Sequence, residues 1–201
     1  MQTEQQTKRE KSNSKRKRVI LEAAVTCIIE RGYHQTGMRD IARKAGVSLG
    51  NLYNYFAGKT DILAEIAVIE RDELAPFLEM LGKDAPAIDV LNEFVPAYTR
   101  HLSAPETIIL ALEITGEAIR QPEIAGLFTE SRQSLIKAIG NLLERGEKEG
   151  CMRKSHCTAE TAYILLEIME GTAFRHGIET VPIEKVMKTQ LDFMHAAVLI
   201  R

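Results

Sequence analysis

The sequence predicts an all-α protein, and three observations support this prediction. The chain has 201 residues, enough for one ordinary domain or two small ones. Apolar residues recur every three or four positions in successive segments, and no alternating run is long enough for a strand. Proline marks the starts of several predicted helices, since its missing N–H costs nothing in a first turn. These prolines are Pro86, Pro105, Pro122 and Pro182. Pro76 and Pro96 lie inside apolar patterns, where we expect a break or kink.

The N-terminal region is predicted to form an arm followed by a first helix. Residues 1–13 are polar and lack aromatic and branched apolar side chains, so we expect a disordered basic arm. From residue 14 to residue 31 the apolar residues follow helical spacing, and Gly32 can end the helix. The apolar set consists of Ile20, Ala23, Ala24, Cys27 and Ile28.

A second helix is predicted over residues 37–45. Its N-cap has two candidates. Thr36 can cap the helix with its hydroxyl, or Gly37 can stand at the cap with Asp40 as the third-position carboxylate.

The second helix is followed by a tight turn and a third helix. Gly46 can adopt the left-handed conformation of a helix C-terminus. Ser48 can cap the third helix, predicted over residues 49–55. A fourth helix begins near Lys59.

The rest of the chain is predicted to form a helical domain over residues 61–201, separate from a first domain over residues 14–60. Its last two helices, 158–176 and 182–200, carry apolar sets wide enough to be buried on two sides. Terminal helices of this kind need a partner, so we expect them to form a dimer interface.

The distribution of charge indicates two roles. Residues 1–60 carry a net charge of +7 and the remaining residues a net charge of -9, within an overall charge of -2. A basic first third joined to an acidic remainder indicates that one end meets a polyanion and the other has a different task.

Composition excludes several classes of protein. The three cysteines include no CxxC pair, so a disulfide framework or a four-ligand zinc site is not expected. No apolar stretch suits a membrane span or a signal peptide, and we expect a cytoplasmic protein with no membrane partner. The sequence lacks phosphate-loop, dinucleotide, GxSxG and HExxH motifs, so we expect no enzyme, no cofactor and no metal.

The second and third helices form a helix-turn-helix arrangement. Small Ala42 and Ala45 allow close helix crossing, Gly46 permits the turn, and Val47 fills the corner. The third helix can enter a major groove while the second lies across the DNA backbone.

The same segment resembles the DNA-binding signature of the TetR family of bacterial transcriptional regulators, over residues 15–62. The residues that carry the resemblance are Gly32-Tyr33-x-x-Thr36-x-Met38-x-x-Ile41-Ala42-x-x-Ala45-Gly46-Val47-Ser48-x-Gly50-x-Leu52-Tyr53-x-Tyr55-Phe56-x-x-Lys59-x-x-x-Leu63. The resemblance implies a homodimer, a double-stranded DNA operator of two inverted half-sites, and a small-molecule pocket in the C-terminal domain. Gly37 departs from the Thr or Ser often found at its position.

The resemblance also implies roles for individual residues. The positions that match phosphate contacts are Thr36, Arg39, Ser48, Tyr53, Tyr55 and Lys59. The positions that match groove contacts are Leu49, Gly50, Asn51 and Asn54. Chemistry agrees in part, because Asn pairs with an adenine edge and Leu can meet a thymine methyl group.

Ser48, Tyr55 and the basic run of residues 15–18 each have an alternative reading. Ser48 is a helix cap whatever else it does, and Tyr55 can serve the core beneath the third helix. The basic run of residues 15–18 can track phosphates or be a solvated face.

Ligand-lining residues are sought on central helices at about 88–117 and 124–144. The candidates are Tyr98, His101, Leu102, Leu110, Glu113, Ile114, Glu117, Phe128 and Phe174. Carboxylates within apolar helices could bind a lipophilic cation. The alternative is that these carboxylates are exposed or paired with arginine; they are Glu113, Glu117, Glu167 and Glu170, and the arginines are Arg120, Arg132 and Arg175.

Two further sets of residues complete the expectations. Dimer contacts are expected at Leu165, Leu166, Met169, Ala173, Leu191, Met194 and Val198. A metal or redox sensor at Cys151, His156 and Cys157 is possible in principle, but these residues lack a tetrahedral ligand set.

Together these features predict a ligand-responsive DNA-binding transcriptional regulator. It would act as a repressor, bind an inverted repeat as a dimer, and be released by an unknown small-molecule effector. The alternative is a structural, nucleoid-type protein that binds DNA without sequence preference, which leaves the acidic helical domain without a purpose.

Overall fold

The computed structural model describes residues 2–154, 158–178 and 182–200, with side chains from residue 13 onward. Within these residues the chain forms nine helices and no strand, as the all-α prediction requires. The helices are α1 (Gln2–Arg31), α2 (Met38–Lys44), α3 (Leu49–Tyr53), α4 (Lys59–Leu81), α5 (Ala87–Leu102), α6 (Pro105–Arg120), α7 (Pro122–Lys148), α8 (Thr158–His176) and α9 (Ile183–Val198).

Proline marks helix starts as predicted, but it does not interrupt helices. Pro105 and Pro122 are the first residues of α6 and α7, and Pro86 and Pro182 precede α5 and α9. The expected breaks at Pro76 and Pro96 are wrong, because both prolines lie inside continuous helices. An internal proline removes one backbone hydrogen bond, and in α5 the burial of one apolar face along the helix offsets that loss.

The first helix is longer than predicted. α1 begins at Gln2, so the expectation of a disordered arm over residues 1–13 is wrong for residues 2–13. Neither glycine nor proline occurs in α1, and Gln, Glu, Lys and Arg have good helix propensity. The polar composition of residues 2–13 shows that this part of α1 has no apolar face to bury, but it does not prevent a helix.

The chain divides into two compact units that do not follow chain order. Unit 1 comprises the residues up to Ile69 and the segment Ile109–Leu127. It extends past the predicted boundary at residue 60 because the first turns of α4 complete its core. The buried residues of that core include Ile20, Ala24, Ile28, Ile41, Leu52, Phe56, Ile62, Leu63, Ile66 and Ile124.

Unit 2 comprises Glu70–Ile108 and the residues from Phe128 onward. Its core is formed by α5, α8 and α9 with parts of α4 and α7. The central buried residues are Val90, Leu91, Phe94, Leu135, Ile139, Leu142, Leu166, Met169 and Met194. The helices α4, α6 and α7 each contribute residues to both units.

The turn between α2 and α3 depends on the backbone of Gly46, and the matched pair Gly46→Ala and Gly126→Ala tests this. Gly46 has φ +65, and a Cβ there would meet no atom within 4 Å. Only backbone strain is therefore added, and we expect a loss of about 1–2 kcal/mol of unfolding free energy. Gly126 lies inside α7 in similarly open space, so Gly126→Ala should gain about 0.5–1 kcal/mol.

Circular dichroism melts at equal protein concentration measure both variants. The two melting temperatures should move in opposite directions. A shift in the same direction would contradict the strain argument.

Candidate functional site

The helix-turn-helix is held by two caps of different kinds. The Ser48 hydroxyl accepts the Asn51 backbone N–H at 3.1 Å, which confirms Ser48 as the cap of α3. At α2 the open choice is settled, because Gly37 is the N-cap and donates its N–H to Asp40 Oδ2 at 3.2 Å. Each cap satisfies a backbone group that the first helical turn leaves without a helical partner.

The outer face of α3 presents the predicted groove residues. Gly50, Asn51 and Asn54 are exposed and Leu49 is half-buried, while Leu52 points inward and is fully buried. A Cβ at Gly50 would meet no atom within 4 Å. The side chains of Tyr53 and Arg39 are also exposed. This surface therefore offers amide groups, one guanidinium and open backbone to a partner, and its DNA contacts stay predictions.

Two residues predicted to contact phosphates are engaged within the protein. Thr36 is 1% exposed, and its hydroxyl lies 3.0 Å from the Cys27 carbonyl and 2.8 Å from the Gly32 carbonyl. Tyr55 is half-buried and donates its hydroxyl to Asn13 Oδ1 at 3.3 Å. Thr36 thus fastens the end of α1, and Tyr55 contacts α1 near its N-terminal half.

Lys59 was also predicted to contact phosphates, and it too is engaged within the protein, because its ammonium group points into unit 1. Its Nζ donates to the Tyr33 carbonyl at 2.8 Å and lies 4.3 Å from the centroid of the Tyr33 ring. Burial lowers the pKa of Lys59, and the charge of Glu117 opposes this shift. The ammonium group therefore stabilises the chain between α1 and α2.

Two carboxylates of α6 contact the same stretch of chain. Glu113 Oε2 accepts the Tyr33 backbone N–H at 2.8 Å. Gly32 has φ +83, a conformation that favours glycine, and a Cβ there would lie 3.2 Å from Glu113 Oε2. Glu113 was expected to line a ligand pocket; in the structure it orders the turn that follows α1.

Glu117, one turn further along α6, is also engaged within unit 1. It is 5% exposed and accepts hydrogen bonds from Gln121 Nε2 at 2.9 Å and Arg120 Nη1 at 3.1 Å. His34 Nδ1 lies 3.7 Å from its Oε1. The structure therefore shows the arginine pairing that was the alternative for Glu117, and its ligand role stays a prediction.

The basic run in α1 is divided between two environments. Lys17 forms an ion pair with Glu65 at 2.6 Å and lies over the Phe56 ring. Arg18 pairs with Glu22, one turn further along α1. Lys15 and Arg16 are exposed. Two of the four basic side chains in this run are therefore free of intramolecular ion pairs within the described structure.

The remaining ligand candidates are distributed over both units. Leu110 and Ile114 belong to unit 1 and are half-buried, as are Phe128 and Phe174 of unit 2. Leu102 is buried in the unit 2 core. Tyr98 and His101 lie in an aromatic group of unit 2 with Phe77 and Phe94.

Unit 2 also contains a group of charged side chains centred on Arg132. Arg132 binds both Glu167 and Glu170, as the arginine-pairing alternative predicts. Burial and the neighbouring charges of Glu170 and Glu73 raise the pKa of Glu70 to about 7. Sequence reasoning assigned no role to Glu70, although a carboxylate on the apolar face of the fourth helix was the available signal.

The residues expected at a dimer interface lie inside the protomer. Six are buried, namely Leu165, Leu166, Met169, Ala173, Met194 and Val198, and Leu191 packs against them. Helical periodicity identified the buried face of α8 and α9 correctly, but the partner of that face is α5 of the same chain. The exposed apolar side chains on these helices are Tyr163, Ile164 and Phe193.

One residue of the cysteine group, Cys151, lies within the described structure. Cys151 is a free thiol whose Sγ lies 3.4 Å from the Gly146 carbonyl, while His156 and Cys157 lie outside the described residues. In the described ranges, no three histidine, cysteine, aspartate or glutamate side chains are arranged to hold a metal ion. No described helix has the length and apolar character needed to span a membrane.

Comparisons with known proteins agree with this architecture. Residues 20–66 match the family model of bacterial regulatory proteins of the tetR family. Residues 89–195 match the C-terminal domain of AefR-like transcriptional repressors. The HTH-type transcriptional regulator UidR of Escherichia coli K12 is 24% identical over 85% of this chain and 82% of its own length.

Solved structures share the fold. A transcriptional regulator from Saccharomonospora viridis in complex with choline is 23% identical, with a TM-score of 0.79 over 94% of this chain and 100% of that chain. The transcriptional regulator FadR from Bacillus subtilis in complex with stearoyl-CoA is 22% identical, with a TM-score of 0.74 over 89% of this chain and 97% of that chain. These proteins are transcriptional regulators and not enzymes. With one family description covering the helix-turn-helix and another covering more than half of the chain, the chain belongs to the TetR family of bacterial transcriptional regulators.

Proposed function

We propose that the chain is a repressor that binds an inverted-repeat operator as a homodimer and releases it when a small molecule binds unit 2. The observation that carries the proposal is the exposed polar face of α3. The Ser48 cap and the buried Leu52 fix that face on the helix-turn-helix. Two such helices about 34–36 Å apart would match successive major grooves on one side of DNA.

The DNA contacts divide by chemistry. Asn51 and Asn54 can pair with base edges, Leu49 can contact a thymine methyl group, and Gly50 permits close approach of the backbone. Arg39, Ser48 and Tyr53 have the exposure that a phosphate contact requires. Thr36, Tyr55 and Lys59 contribute by holding the helices in place, since their polar groups already have partners in the protein.

The dimer is proposed to form through α8 and α9. Tyr163 and Ile164 of α8 and Phe193 of α9 are exposed apolar side chains on helices whose opposite faces are buried. Large apolar side chains exposed on two helices that pack together can form a protein–protein interface. These three side chains replace the seven core residues as the expected contacts.

The effector is proposed to act through helices that belong to both units. α4 carries Lys59 and α6 carries Glu113, and both side chains bind the backbone of Tyr33. A ligand that shifts either helix would alter the turn that positions α2. A hundredfold loss of operator affinity requires about 2.7 kcal/mol of differential ligand binding, and the operator must weaken ligand binding equally.

The relatives do not define the effector. The Saccharomonospora viridis structure contains choline, a cation, and the Bacillus subtilis structure contains stearoyl-CoA, an anion. The class of effector must therefore be argued from the side chains of this chain.

Selection of genomic DNA fragments by the purified protein tests the proposal. At ~150 mM salt, non-specific attraction to phosphates is partly suppressed. A recurrent inverted repeat is the expected result. Fragments without a common sequence would contradict an operator-specific regulator and favour a nucleoid-type protein.

Asn51→Ala and Arg39→Ala should differ in their effect on DNA binding. Loss of the Asn51 amide should cost about 1–3 kcal/mol at one position of each half-site and relax base preference there. Loss of the Arg39 charge should weaken binding to all sequences and reduce the salt dependence by about one unit of slope. Binding to a set of single-base operator variants at several salt concentrations measures both effects. Identical behaviour of the two variants would refute the division of roles.

Phe193→Asp should dissociate the dimer. The side chain is 60% exposed in the protomer, so the folded protomer tolerates a charge there, whereas a dimer interface would bury two new carboxylates. Sedimentation analysis should show the dimer dissociation constant raised at least ~tenfold. Ile119→Asp is the control, because Ile119 is 81% exposed on α6 and should leave the dimer intact. An undisturbed Phe193→Asp dimer would place the interface elsewhere.

Glu113→Ala should weaken both unit 1 and operator binding. The change leaves the partly buried Tyr33 N–H without its acceptor, which costs about 1–2 kcal/mol, and it loosens the turn before α2. Melting temperature and operator affinity should fall together. Glu22→Ala is the control, since the Glu22 carboxylate pairs with exposed Arg18 alone among the described residues, an interaction worth about 0.3–0.5 kcal/mol. Equal losses in the two variants would show that the Tyr33 contact has no special role.

A further inference from the structure

Most of the lysine and arginine side chains of unit 1 already contact a carboxylate or a backbone carbonyl of the same unit. The side chains that do so are Lys17, Arg18, Arg31, Arg43, Lys44, Lys59 and Arg120. Within the described side chains of unit 1, only Lys15, Arg16 and Arg39 are exposed without such a contact. Arg39 has a proposed role at the DNA backbone, which leaves Lys15 and Arg16 of α1 to be explained.

These two residues lie where α1 passes the end of α3. On one side of them, Asn13 Oδ1 accepts the hydroxyl of Tyr55 at 3.3 Å. On the other side, Lys17 Nζ lies 5.8 Å from the centroid of the Phe56 ring. Tyr55 and Phe56 follow α3 within three residues. Lys15 and Arg16 are therefore placed beside the C-terminal end of the helix that is proposed to enter the major groove.

The charges of Lys15 and Arg16 have no structural task within unit 1. Among the described side chains of α1, the first buried one is Ile20, so this part of the helix covers no core. The next two basic residues of the run are offset by carboxylates, because Lys17 pairs with Glu65 and Arg18 pairs with Glu22. Two neighbouring positive charges without a carboxylate attract a polyanion.

We infer that Lys15 and Arg16 bind phosphates of the operator backbone next to the groove that α3 enters. Double-stranded DNA presents one negative charge per ~1.7 Å of its axis. Consecutive residues of an α-helix project about 100° apart, so the two cations can reach different phosphates. This contact adds affinity without base preference, since phosphates are the same in every sequence. The inference rests on the proposed function, because it extends the contact with that function's DNA partner.

The double variant Lys15→Gln, Arg16→Gln tests the inference through the salt dependence of operator binding. Glutamine removes the charge and keeps good helix propensity. We expect operator affinity at ~150 mM salt to fall at least ~tenfold, and the slope of log affinity against log salt to become shallower by about two for each bound protomer. Base preference across single-base operator variants should stay that of the wild-type protein, because phosphate contacts carry no sequence information.

The double variant Lys137→Gln, Lys148→Gln is the matched control. Both lysines are exposed on α7 and belong to unit 2, so the variant loses the same charge from the other unit. Its salt slope and operator affinity should stay those of the wild-type protein. Circular dichroism melts should be unchanged in both variants, because none of the four side chains forms an ion pair among the described residues. Equal behaviour of the two variants, or altered base preference in the α1 variant, would overturn the inference.

Selection of genomic fragments separates this inference from the proposed function. If the wild-type protein recovers an inverted repeat and the α1 variant behaves like its control, only this inference fails. If no repeat is recovered, the proposed function fails, and the salt slopes on a duplex of random sequence decide the inference, because every duplex presents the same phosphates. A recovered repeat together with a shallower slope in the α1 variant alone supports both.

Discussion

The peptide groups of Tyr33 are held on both sides by side chains of opposite charge, and the orientation of the helix-turn-helix depends on this arrangement. The ammonium group of Lys59 binds the carbonyl, and the carboxylate of Glu113 binds the N–H. The preceding Gly32 adopts the left-handed conformation that brings the chain close to Glu113. Because α2 begins only five residues after Tyr33, the direction of α2, and with it α3, follows from these contacts. Charge-assisted hydrogen bonds suit this task, since they are short and directional.

The two units treat their buried carboxylates differently. In unit 1, Glu113 and Glu117 have backbone or side-chain donors at hydrogen-bonding distance, so their charges are compensated by the fold itself. In unit 2, Arg132 forms ion pairs with two glutamates of α8, whereas burial and the charges of Glu170 and Glu73 raise the pKa of Glu70 of α4 to about 7.

Local chemistry made part of this structure predictable, and long-range packing made the rest unpredictable. Helix starts at Pro105 and Pro122, the Ser48 cap and the left-handed Gly46 follow from one or two residues each. The partners of Glu113 could not be found, because Tyr33 lies 80 positions away in the chain. The buried face of α8 was recognised from its periodicity, yet periodicity does not tell whether that face packs on α5 or on a second protomer. The continuous helices at Pro76 and Pro96 show the same limit, since packing decides whether a lost hydrogen bond ends a helix.

Unit 1 is built from two stretches of chain that are separated by about forty residues, and this affects how the protein can be divided by engineering. A fragment that stops at residue 60 keeps the helix-turn-helix but loses the buried Ile62, Leu63 and Ile124 and the acceptor for the Tyr33 N–H. A chimera that joins the first sixty residues to another regulator would inherit a foreign α6 at this position. Exchange of DNA specificity between relatives is therefore expected to preserve folding best when Ile109–Leu127 is transferred together with the N-terminal helices.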